Sequence, residues 1–136
     1  MLQFYYLSIT FNLLAGFILF FKDSNNLSTN LSSLRELLYR ETTLLLIGAG
    51  SFITGFFKLL TVVRDDVPVV GDLLPAIFGL AGGFALLIEY YQKKVSSFSS
   101  SNKIVQNIFV NGKKYLGLGC LICAVLHFLF PTILFI

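Results

Sequence analysis

Charge is what this chain has least of. Only 12% of its 136 residues are charged, against roughly 25% in an average soluble domain, while 56% are hydrophobic. A soluble fold this small leaves much of its surface in water and could not hide that apolar load. Tryptophan is absent, but fifteen Phe and six Tyr add to the load. Histidine occurs once and cysteine twice, too few for a zinc centre, which takes four protein ligands or three and a water. The sequence offers no phosphate loop, no nucleophile–base pair and no paired buried carboxylates. No catalytic residue, metal or cofactor is therefore assigned. The N-terminal run also lacks the marks of a cleaved signal. No Lys or Arg precedes its apolar stretch and no small-x-small site precedes Lys22, so it is expected to remain as a span.

Long apolar runs are what the chain has instead. Four are found, at Leu2–Phe21, Thr42–Val63, Leu73–Tyr91 and Lys114–Ile136, each near the ~20 helical residues that cross a bilayer core of roughly 30 Å. The expected fold is all-α, a polytopic bundle of four transmembrane helices in one domain, 1–136. The net charge of +3 is unevenly spread and does not point to nucleic acid. Lys22, Arg35, Arg40, Lys93, Lys94, Lys103, Lys113 and Lys114 lie in or beside the two long loops, leaving only Lys58 and Arg64 near the middle connection. The positive-inside rule then places both long loops in the cytoplasm and both termini outside, with a bacterial inner membrane as the expected location.

Internal similarity suggests how the spans arose. At an offset of 67, "FNLLAGFILF" (11–20) falls on "FGLAGGFALL" (78–87). At an offset of 69, "GAGSFITGFFK" (48–58) falls on "GLGCLICAVLH" (117–127). Lys58 then coincides with His127. The reading is a tandem duplication of a helical hairpin, 1–66 and 67–136, with both copies entering the membrane in the same sense. The long loops are expected to hold short interfacial helices. Ser33 and Glu36 have capping-box spacing, in a helix expected to run on into the second span. "NKIVQNIFV" (102–110) suits a helix lying at the interface, and Asn111-Gly112 breaks the chain after it. Asp72 is a candidate cap for the third span, and Pro75 is tolerated in its first turn.

Small residues form stripes along the spans. Gly48, Ser51 and Gly55 lie on one, Gly117, Cys120 and Ala124 on another, with Gly16 on span one and Gly79 and Gly83 on span three. In lipid such residues let helix backbones approach, so these stripes are expected to be the packing seam. Cys120 and Cys123 form C-x-x-C, the pattern of a thiol oxidoreductase, but a thiol that exchanges needs access. Asn12, Lys58, Asp72 and His127 make up a candidate polar pocket. For Lys58, snorkelling to the outer headgroups is the leading expectation; for Asn12, a hydrogen bond to another helix. Glu89 sits opposite Lys22 as an interfacial ion pair. The fragments "GFFKLL" and "LHFLFP" resemble short patterns in small four-span bacterial proteins of the DoxX type, and are too short to carry an activity across.

Three functional readings follow. The first is a non-catalytic accessory or assembly subunit of a larger membrane complex, its partners being the bilayer and other subunits or a second copy. The second is an oligomeric small-solute or ion transporter or channel, with the polar pocket at the repeat interface. The third is a membrane thiol oxidoreductase using Cys120 and Cys123.

Overall fold

The computed structural model describes residues 2–22, 29–60, 73–95 and 103–130, and all regular structure among them is helical. The helices are α1 (Leu2–Phe21), α2 (Thr29–Leu38), α3 (Glu41–Leu60), α4 (Leu73–Lys94), α5 (Lys103–Val105) and α6 (Lys113–Leu129), with a π-helical stretch at Gln106–Asn111. By length and composition, α1, α3 and α4 can each cross a membrane; a fourth crossing results if Lys103–Asn111 and α6, bent by 61°, count as one. Pro75 lies in the first turn of α4, where a missing N–H costs no helical bond. The expected cap Asp72, and the span ends expected at 61–63 and 131–136, lie outside the described residues.

Two loop expectations change. α2 begins at Thr29, so Ser33 is inside the helix instead of capping it. Nor does α2 run into α3. The chain turns at Tyr39–Arg40, where the Arg40 N–H bonds Leu37 O at 3.3 Å and the Thr43 hydroxyl donates to the same carbonyl at 2.9 Å. The Tyr39 hydroxyl reaches Ile18 O on α1, and the Lys93 ammonium reaches Tyr39 O. Contacts from two other helices thus fix the break, which local spacing could not report. Farther on, the Gly112 N–H donates to Asn107 O at 2.9 Å, a bond of π spacing that closes the widened turn before α6. A Cβ at Gly112 would stand 2.8 Å from Ile108 O.

α1, α3, α4 and α6 alternate in direction. α3 packs most extensively on α4, and α1 on α6; α1 and α4 also touch each other. The cross-section is a diamond, with α1 and α4 on its short diagonal. The two tight crossings are glycine contacts. A Cβ on Gly16 would stand 2.8 Å from Gly117 O, and one on Gly83 would stand 2.7 Å from Gly48 O. Backbones this close gain the dispersion contacts that hold helices together in an apolar solvent.

The interior is divided along its length. Toward the end holding Glu89 it is apolar, with Ala15, Ile18, Leu19, Leu44, Ile47, Ala85 and Leu86. Toward the end holding His127 the buried set includes Ser8, Asn12, Ser51, Thr54, Lys58 and His127. The outside is covered in apolar side chains such as Leu46, Ile53, Phe56, Leu60 and Ile77, as a bilayer requires.

Candidate functional site

Three helices meet at the His127 end. Ser51, Thr54 and Lys58 fall on one face of α3, and Cys120, Cys123, Ala124 and His127 on one face of α6. These are the i, i+3, i+4, i+7 positions that share a face. Lys58 is 2% exposed and His127 1%, and the Lys58 Nζ lies 3.1 Å from His127 Nε2. Snorkelling does not occur: the long stem of Lys58 turns inward. α1 adds Tyr5, whose hydroxyl donates to His127 O at 2.6 Å. Its ring lies 4.7 Å from the imidazole, and the Lys58 ammonium is 5.4 Å from the ring centroid. A cation over an aromatic face gains from the ring quadrupole, more so away from water. Tyr5 was not anticipated from sequence, although it stands seven residues before Asn12 on the stripe Tyr5–Ser8–Asn12.

Asn12 lies deeper and is 1% exposed. Its Nδ2 donates to Pro75 O of α4 at 3.0 Å, the expected bond to another helix. Its Oδ1 is buried without a hydrogen-bond partner among the described residues. Ser51 donates to Gly79 O at 3.0 Å, beside the close approach of Gly55 to Gly79. Thr54 donates to Gly50 O of its own helix at 2.8 Å. Lys58 and His127 come together, Asn12 stands apart from them toward mid-bundle, and Asp72 lies outside the described residues.

Cys120 and Cys123 are free, 0% and 4% exposed. The Cys120 thiol lies 3.4 Å from Phe78 O, and a Cβ at Gly82 would stand 2.8 Å from its sulfur. Cys123 borders a groove of about 220 Å³ between α4 and α6, lined by Leu74, Phe78, Ile122 and Leu126. A second, of about 320 Å³ between α1 and α6, is lined by Ile9, Leu13, Val125 and Phe128. Both are apolar.

At the opposite end, the Glu89 carboxylate accepts from Lys22 and, at 3.2 Å, from Lys113. Lys22 is the expected partner; Lys113 was not foreseen. Burial pulls the Lys22 amine below its ordinary value, with the Glu89 carboxylate opposing that shift. The ammonium groups supply donors, and the carboxylate has lone pairs for both.

A protein-family model covers residues 1–127, and the family is one of unknown function. The chain belongs to that family. A Treponema pallidum (strain Nichols) relative, described as an uncharacterized protein, is 34% identical over 136 residues, the whole of both chains. No solved structure matches the chain.

Proposed function

We propose that the chain is a four-span membrane bundle built from a duplicated hairpin, acting as a non-catalytic accessory or assembly subunit of a larger membrane complex. One observation carries the reading. Asn12, Lys58 and His127 are at most 2% exposed and turn toward protein atoms, where a conducting pocket would present them to a passage. The grooves between helices are apolar and open to the side, as on a body that packs.

The duplication is supported by paired contacts. Gly16 stands on Gly117 and Leu121, and Gly83 stands on Gly48 and Phe52. Lys22 meets Glu89 at a separation of 67, and Lys58 meets His127 at a separation of 69. Two-fold repeats about a normal axis would bring such equivalent positions face to face. The charge bias puts the Glu89 end in the cytoplasm. Accessibility labelling of single cysteines should then find Ser99→Cys reachable only from the cytoplasm and Asp66→Cys only from outside; the reverse pattern removes this orientation.

The functional test is gentle extraction from native membranes with reciprocal capture and mass determination. A stoichiometric complex with other membrane proteins is expected. A pure homo-oligomer that conducts solute in liposomes, and loses that flux on Lys58→Met with assembly intact, would overturn the reading. It would establish the transporter instead. One observation favours that alternative: the Asn12 Oδ1 is a buried acceptor left without a partner among the described residues, a cost of about 1–3 kcal/mol that an interior path would put to use.

A further inference from the structure

Past α4, the chain lays Lys103–Asn111 across the Glu89 end and meets α6 at 61°. The 17 residues of α6 reach about 25 Å at 1.5 Å per residue, most of a hydrocarbon core of roughly 30 Å, so a crossing carried by α6 leaves the crosspiece near one membrane surface. One side of the crosspiece is held by the protein. The Phe109 ring packs edge-on against Phe84 of α4, centroids 5.0 Å apart. The other side carries Ile104 and Ile108, one turn apart, 65% and 50% exposed. Tyr115, 80% exposed, stands at the start of α6 just beyond the bend; tyrosine is enriched at the membrane–water interface.

The same end of the bundle carries several cations. The side chains of Arg40, Lys93, Lys94, Lys103 and Lys114 are all exposed at this end. Exposed carboxylates there, among the described residues, are Glu36 and Glu41; Glu89 is buried between Lys22 and Lys113. Two exposed isoleucines, Ile104 next to Lys103, at an end rich in long basic side chains suit the interface of an anionic leaflet: apolar groups enter between headgroups while ammonium groups meet phosphates.

We propose that Lys103–Asn111, with Lys114 and Tyr115, is a docking surface for anionic phospholipid, and that it seats this end of the bundle in the leaflet. Continuity with the lipid-facing belt favours a lipid surface over a soluble protein. The full chain carrying Ile108→Cys, labelled with an environment-sensitive fluorophore, tests the proposal in vesicles of phosphatidylcholine alone or mixed with phosphatidylglycerol. Wild-type protein, whose thiols are buried, reports background labelling, and Ile104→Cys repeats the measurement from a second position. In the mixed vesicles the emission should shift to the blue and be quenched by spin-labelled lipid near the headgroups. Lys103→Gln with Lys114→Gln, or high salt, should remove the phosphatidylglycerol-dependent part of that shift. Emission that stays water-like in both membranes would overturn the proposal. So would emission equal in both and indifferent to the lysine changes, or a label shielded only when a soluble protein is added.

Discussion

At Glu89 two lysine ammonium groups share one carboxylate that is nearly out of water. Removing the negative charge leaves Lys22 and Lys113 facing each other in a partly buried site. Breaking a fully buried pair costs about 3–5 kcal/mol; with both lysines still partly solvated, Glu89→Gln should cost about 1–3 kcal/mol. Thermal unfolding in detergent would read this as a lowered midpoint, restored in part by adding Lys113→Met. A midpoint equal to that of wild type would show the triad to be ornamental. The thiols lead to the opposite expectation. Cys120 and Cys123 fill small spaces beside Gly82 and the α4–α6 groove, so replacing both by Ala should change stability by less than about 2 kcal/mol and leave assembly with partners unchanged. Loss of function in a normally assembled double variant would revive the redox reading.

Among the elements, α3 and α4 pack most closely, at Gly48 and Gly83. A methyl group at residue 83 would meet the Phe52 N and Gly48 O atoms at 2.5 and 2.7 Å, and these are backbone atoms that cannot rotate aside. Gly83→Ala must therefore separate the helices, at the 1–3 kcal/mol typical (roughly) of overpacking. Ile53→Ala, on the exposed face of the same α3, is the control and should melt close to wild type. If the two variants melt alike, the crossing is looser than the backbone distances imply. The break between α2 and α3 follows the same logic at smaller scale: Tyr39 is tied to α1 and α4 by side-chain bonds, and the chain turns there.

For the whole molecule, the pairing pattern has a consequence for assembly. The tight helix pairs join the two hairpins, α3 on α4 and α1 on α6, while contacts within each hairpin are fewer. Fragments 1–66 and 67–136 expressed together should then find each other in the membrane and copurify, because each alone leaves its glycine face without a partner helix. Full-length stability is not required, only a complex that survives mild detergent. Fragments that each purify alone, as folded species, would contradict the dominance of the α3–α4 and α1–α6 contacts. At this scale the interior also has two characters: an apolar half near Glu89 and a polar half near His127.

Local composition by itself determined the helical class, the approximate bounds of the helices long and apolar enough to cross a membrane, and the small-residue stripes, because bilayer thickness and backbone hydrogen bonding leave a long apolar run few options. The stripes through Gly48 and Gly117 could be read for the same reason: only small residues admit a close backbone. Which stripe meets which was a matter for the tertiary structure, since it depends on helices brought together from distant parts of the chain. So did the inward turn of Lys58. Its flexible stem can serve headgroups or interior equally well, and the choice rests on His127 and Tyr5, contributed by α6 and α1. Lys113 joined Glu89 only through the 61° turn that precedes α6, a bend whose π-helical closure at Gly112 follows no periodicity in the sequence.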